Sequence, residues 1–238
     1  MKTWWTLFKG EIFRLFKYKI MWFSIMLSIL WVIVLSLSAK EEAKSLMPFL
    51  LVIDTGMMSI ILLASSFYFE KQEGTIKTMF VAPVSISQLL SAKLVASLVA
   101  GVISMALVAL ALLLIHGVVI NYALALLYTI LSTLAHISIG YIIILYSGDF
   151  MAFLIKYMGL AIAFMVPALL VLINVIPATF EGIAIISPSY AAQYLIDSLF
   201  VAKNGWLIAL SVTTLTMIPT ILLPLVVYPQ FKQFAIRG

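Results

Sequence analysis

The 238-residue chain contains no cysteine. That excludes disulfides, cysteine-ligated zinc, iron–sulfur clusters and thiol nucleophiles, and leaves the redox compartment without a marker. Histidine is limited to His116 and His136, with no carboxylate at ligand spacing from either, so no metal site is expected. Charge is scarce: 10% of residues are charged and 65% are hydrophobic, a balance foreign to soluble domains of this size. No GxxxxGK[ST] segment occurs, so the sequence encodes no phosphate-cradling loop. Strand-length alternation is nowhere sustained, which argues against a transmembrane barrel.

What the chain does have is apolar runs. Six are long enough to cross a hydrocarbon core of roughly 30 Å, at about 21–39, 48–69, 91–115, 121–146, 157–176 and 206–228. The expected architecture is a single all-α membrane domain over 1–238, a bundle of six transmembrane helices. With both termini inside, the inner segments hold 11 of the 14 Lys and Arg residues, and only Lys40, Lys44 and Lys203 lie outside. The net charge of +5 therefore reports topology rather than affinity for nucleic acid, which is not an expected partner. The basic start followed by an apolar run resembles a signal peptide superficially, but the run is span-length and is expected to stay as the first span.

Residues 1–20 sort into two faces on a helical wheel. Trp4, Trp5, Phe8, Ile12, Leu15 and Phe16 occupy one third of the circumference, and Lys2, Glu11, Lys9, Arg14 and Lys17 take the rest. An interfacial helix is predicted, its tryptophans at headgroup level and its bases near anionic lipid phosphates. The connections KEEAKSLMP, HGVVIN and YSGDFMAFLIK are short, so neighbouring spans run antiparallel. The longer outer segment 177–205 carries Ser187-Pro188, a capping hydroxyl and a first-turn proline. One or two short helices at or in the outer leaflet follow from it, with Gln193 and Asp197 on one face. Pro167, Pro219 and Pro224 fall inside spans five and six and predict kinks. Ala92, Ala96, Ala100 and Gly101 form a small-residue stripe for close packing of span three.

The most polar interior segment is EKQEGTIKTMFVAPVSISQLLSAK, residues 70–93. As a helix, 70–80 places Ile76, Met79 and Phe80 on one flank and Glu70, Glu73 and Lys77 on the other. The Glu73–Lys77 pair adds only about 0.3–0.5 kcal/mol, too little to explain the insert. Pro83 stops the helix, and Ser85 with Gln88 predicts a capping box that launches span three.

The run Glu73-Gly74-Thr75, Met79, Pro83-Val84-Ser85, Leu89-Leu90 and Lys93 resembles the cytoplasmic signature of ABC-2 type permeases, the membrane subunits of ATP-binding-cassette exporters. The resemblance extends over the whole six-span layout. It departs at Gln72 and Ala92, where the family often has arginine and glycine. The resemblance implies a coupling helix that docks on a separate cassette ATPase, present in two copies, beside a second permease copy in a homodimer. Carried onto this sequence, the coupling residues are Glu70, Glu73, Gly74, Thr75, Ile76, Lys77, Met79, Phe80, Pro83, Ser85 and Lys93. ATP and Mg would bind the partner ATPase; this chain would carry no catalytic residue and no cofactor. The implied location is the cell membrane of a bacterium or archaeon, and the implied cargo an amphipathic or lipophilic drug, lipid or hydrophobic peptide.

Two ionisable residues lie inside spans. Asp54 is read about two turns from the outer end of span two and His136 nearer the middle of span four, so at different depths. Either could line a translocation path, because intramembrane ionisable groups are costly unless they face water or a partner. Either could equally be a hydrogen-bonded packing residue. A gradient-driven secondary transporter using Asp54 and His136 is the alternative function, as is a non-transporting sensor or immunity subunit of the same architecture. An intramembrane enzyme has no recognisable catalytic grouping.

Overall fold

The computed structural model describes residues 2–75, 84–173, 175, 177 and 180–231, with no strand among them. An amphipathic helix α1 (Lys2–Lys17) is followed by α2 (Ile20–Leu37), α3 (Lys40–Val52) and α4 (Met58–Gln72). Next come α5 (Ile86–His116), α6 (Tyr122–Leu145), α7 (Phe150–Leu172), the short α8 (Glu181–Ala184), α9 (Pro188–Asp197) and α10 (Gly205–Leu222). Six rods are long and apolar enough to cross a membrane: α2, the joined α3–α4, α5, α6, α7, and α10 with its extension to Phe231. The chain is a multi-pass helical membrane protein.

Capping chemistry moves several boundaries away from the hydropathy runs. KEEAKSLMP, read above as a connection, is the start of α3. The Glu42 carboxylate accepts from the Ala39 N–H at 3.1 Å, and Glu41 and Glu42 lie in a first turn that favours acids. Span two thus begins about two turns earlier in the chain than its apolar run. Likewise Asp149 accepts from the Ala152 N–H at 2.8 Å and starts α7 at Phe150, so most of YSGDFMAFLIK is helix. The predicted capping box is present: Ser85 Oγ accepts from the Gln88 N–H, and Gln88 Oε1 accepts from the Ser85 N–H.

Between α3 and α4 the helix widens into a π-helical turn, Ile53–Met57, closed by the Met58 N–H donating to the Ile53 carbonyl. Such turns insert one residue into the ladder and re-aim the side chains around them. A second wide turn, Leu223–Val227, has Pro224 as its second residue, where proline supplies no N–H to the α-helical ladder. Pro167 and Pro219 lie within continuous helix.

The centre of the bundle is α3–α4, packed by α5 and α6. Gly140 of α6 lets Ile60 of α4 approach so closely that a Cβ there would lie 2.9 Å from Ile60 Cγ2. Of the segment 177–205, helix α9 packs inside the bundle. It is buried along Pro188–Ile196 and wedged among α3, α6, α7 and α10, with Gln193 facing inward. Ser187 caps it as predicted and also donates to the Phe164 carbonyl of α7 at 2.7 Å. By contrast α7 buries only Phe153 and Ala168, and its exposed side chains are apolar except for Lys156, as lipid or another apolar helix requires.

Gly140→Ala should destabilise the fold by about 1–3 kcal/mol through overpacking. Thermal unfolding in detergent should also find that adding Ile60→Ala costs less than the two single losses summed, because the truncation opens the space that the methyl needs.

Candidate functional site

Four charged side chains meet where α1, α4 and α5 converge. Lys93 Nζ lies 2.9 Å from Glu11 Oε1 and 2.7 Å from Glu70 Oε2. The Arg14 guanidinium reaches Glu11 at 2.5 Å and Glu70 at 2.9 Å. Each carboxylate therefore touches both cations, and the formal charges cancel around a closed ring. Ser66 donates to Glu11 Oε2 at 2.9 Å and accepts from Lys93 at 3.0 Å, while Lys93 also sits 4.8 Å from the Phe67 ring centre. Glu11, Glu70 and Lys93 are at most 2% exposed, so water does little to screen them. Burial alone would raise the Glu11 carboxyl, but Lys93 and Arg14 outweigh it and hold it below the usual range. The same carboxylates, against the opposing effect of burial, raise the Arg14 guanidinium.

The ring gathers both flanks of segment 76–83. Glu70 ends α4, Lys93 stands near the start of α5, and Glu11 and Arg14 come from the N-terminal helix. A second tier reinforces each flank. Trp4 Nε1 donates to Ser91 Oγ at 2.9 Å; the Tyr18 hydroxyl donates to Glu73, and its ring stacks on Phe69 at 4.5 Å. That hydroxyl, and then Lys17, hold the Glu73 carboxyl below its usual range against some burial.

The structure places the predicted coupling residues in two sets. Glu70 and Lys93 turn inward into the ring rather than outward. Glu73 stays on the surface, Gly74 adopts φ +69°, a left-handed conformation that suits glycine, and Thr75 Oγ1 donates to the Glu70 carbonyl at 3.1 Å. Glu73-Gly74-Thr75 is thus the C-terminal stop of α4, and Ser85 is the start of α5. Ile76, Lys77, Met79, Phe80 and Pro83 lie outside the described residues.

A second polar node surrounds the wide turn. Asp54, 2% exposed, has Oδ2 at 2.6 Å from Ser28 Oγ of α2 and hydrogen-bonded to Ser104 of α5. His136 of α6 is fully buried: Nδ1 donates to the Ser132 carbonyl at 2.7 Å, and Nε2 lies 2.9 Å from Ser189 Oγ of α9. A Cβ on Gly56 would stand 2.9 Å from the His136 ring, and Thr133 donates to the Thr55 carbonyl at 3.1 Å. Asp54 and His136 therefore belong to one level, not to different depths. The sequence-based estimate errs because span two starts at Lys40, not 48. They make no direct contact with each other, since Asp54 faces α2 and α5 while His136 faces α6's own turn and α9. Among the described residues no group of three His, Cys, Asp or Glu side chains could share a metal ion.

The ring was missed in the sequence because a helical wheel treats every charge on α1 as solvated. The available signal was that Glu11 is the one acid among the charged residues of 1–20. No family model and no curated protein matches the chain.

Lys93→Met leaves two buried carboxylates facing one guanidinium and should cost about 3–5 kcal/mol, with much of the loss recovered in Lys93→Met/Glu70→Gln. Thermal unfolding in detergent measures both. Because the folded state lowers the Glu11 pKa, its contribution is complete above the unfolded value and fades as pH falls through the lowered one. Stability profiles against pH should therefore show a flatter acid limb for Glu11→Gln than for the wild type.

Proposed function

We propose that the chain is the permease subunit of an ATP-driven ATP-binding-cassette exporter, working as a homodimer with two copies of a separate cassette ATPase. The observation that carries this proposal is the closed ring of Glu11, Arg14, Glu70 and Lys93, which clamps both flanks of segment 76–83 to the N-terminal helix. A loop that receives force from a soluble partner is useful only if its ends move together with the spans. Here each end is tied by charge to α1 and by covalent helix to the bundle.

In this scheme Glu73, Ile76, Lys77, Met79 and Phe80 meet the ATPase. Gly74, Thr75, Pro83 and Ser85 shape the turns at either side, and Glu70 and Lys93 pass the displacement to α4, α5 and α1. The basic residues of α1 and of both flanks belong to the cytoplasmic side of a bacterial or archaeal cell membrane in this reading, in keeping with the positive-inside distribution. ATP and Mg belong to the partner. The thinly covered apolar surfaces of α7 and α10 leave room for the second permease copy, and cargo of amphipathic or lipophilic character suits a path lined by so few polar groups.

The test is co-expression of the full chain with a cassette ATPase encoded beside it. The pair should co-purify, and Glu73→Lys or Phe80→Asp should reduce substrate-stimulated ATPase activity by a factor on the order of ten, a coupling-sized effect. Transport that runs on an ion gradient with no ATPase present would instead identify a secondary transporter.

A further inference from the structure

Helix α1 lies against the C-terminal end of α4 and the first turns of α5, and at Lys19 it turns straight into the span α2. It therefore sits where spans meet lipid headgroups, without being a span itself. The helical wheel offers Lys9, Arg14 and Lys17 to lipid phosphates, but folding withdraws two of the three. Arg14 is held by Glu11 and Glu70, and Lys17 lies 3.6 Å from Glu73. The apolar face is drawn inward as well: Leu15 is buried, and Trp4 donates to Ser91. Trp5, Lys9, Phe13 and Phe16 are left exposed on the outward side.

There the helix carries a groove. Phe8, Ile12, Phe13 and Phe16 line a volume of about 420 Å³, within the roughly 300–1,000 Å³ usual for small-ligand sites, and Lys9 supplies its charge. Lys9 Nζ stands 5.4 Å from the Trp5 ring centre, a contact that steadies the ammonium and leaves its N–H donors for an anion. Among the described residues no carboxylate lies within ion-pair distance of Lys9. Phe16 meets Trp22 edge-on at 5.8 Å, so the groove runs on into the exposed apolar face of α2, which includes Trp22, Phe23 and Met26. A soluble partner would have to cover that span face too, whereas lipid already does. The occupant that fits has a negative head for Lys9 and an apolar tail for the phenylalanines.

We propose that α1 carries a binding site for one anionic phospholipid, with its phosphate on the Lys9 ammonium and an acyl chain in the groove of Phe8, Ile12, Phe13 and Phe16. The site goes beyond the permease proposal and does not depend on it.

The test is photolabelling of the full chain in phosphatidylcholine nanodiscs that contain a trace of phosphatidylglycerol with a diazirine on its acyl chain. Peptides covering 8–16 should take up about fivefold more label than from phosphatidylcholine carrying the same diazirine, the preference that one lysine gives at a membrane surface. That excess should shrink as salt rises. Lys9→Gln should abolish it, while Lys19→Gln, which removes a base outside the groove, should keep it. Equal labelling by the two lipids in the wild-type chain, or an excess that survives Lys9→Gln, would overturn the proposal. So would the absence of label on 8–16 from either lipid, the result expected if protein covers the groove. The wild-type comparison needs no variant to fold.

Discussion

A lysine buried inside a helical bundle needs a counter-charge, and Lys93 has two, Glu11 and Glu70, which in turn need the second cation Arg14. No three of the four form a neutral set. The closed ring consequently requires α1 to lie against α4 and α5 in one register, with Leu15 packed beside Met21, Leu62, Ala96 and Ala100. Buried ion pairs give little net stability relative to well-packed apolar groups, but they are unforgiving of the loss of one member. The ring is therefore better understood as a device for fixing where helix ends meet than as a source of overall stability.

That positional role connects the ring to the rest of the fold. The C-terminal stop of α4 at Gly74 and the capped start of α5 at Ser85 determine where the intervening segment leaves and re-enters the bundle. Glu70 and Lys93 then hold those two points to the N-terminal helix. A pull on the segment cannot move one span without loading the ring, which is the mechanical property that a coupling element needs.

The wide turn at Ile53–Met57 organises the other polar node by a different physical route. Inserting one residue into the helix rotates Asp54 toward the serines of α2 and α5 and leaves Gly56 under the His136 ring, where any side chain would collide. Helix α9 completes this node by bringing Ser189 to His136. Serine hydroxyls bond members of both nodes: Ser66 at Glu11 and Lys93, Ser28 and Ser104 at Asp54, and Ser189 at His136.

Span number, the amphipathic start and the Ser85 and Ser187 caps were all legible in the residues, because hydropathy, helical period and capping are local properties. Span ends were less so: Glu42 and Asp149 extend helices past the apolar runs through single side-chain hydrogen bonds that a hydropathy window does not weigh. Of the two polar nodes, Asp54 and His136 were singled out from their intramembrane position, and Glu70 and Lys93 from the resemblance of the surrounding segment. Which of these side chains meet was not legible. Glu11 and Lys93 are 82 residues apart, and Asp54 and Ser104 are 50 apart. Nothing local to either member specifies its partner. The sequence alone determined that this is a six-span helical chain with a charged segment between spans two and three. Tertiary packing alone decided that those charges close on one another, because only the folded bundle removes the water that would otherwise hold them apart.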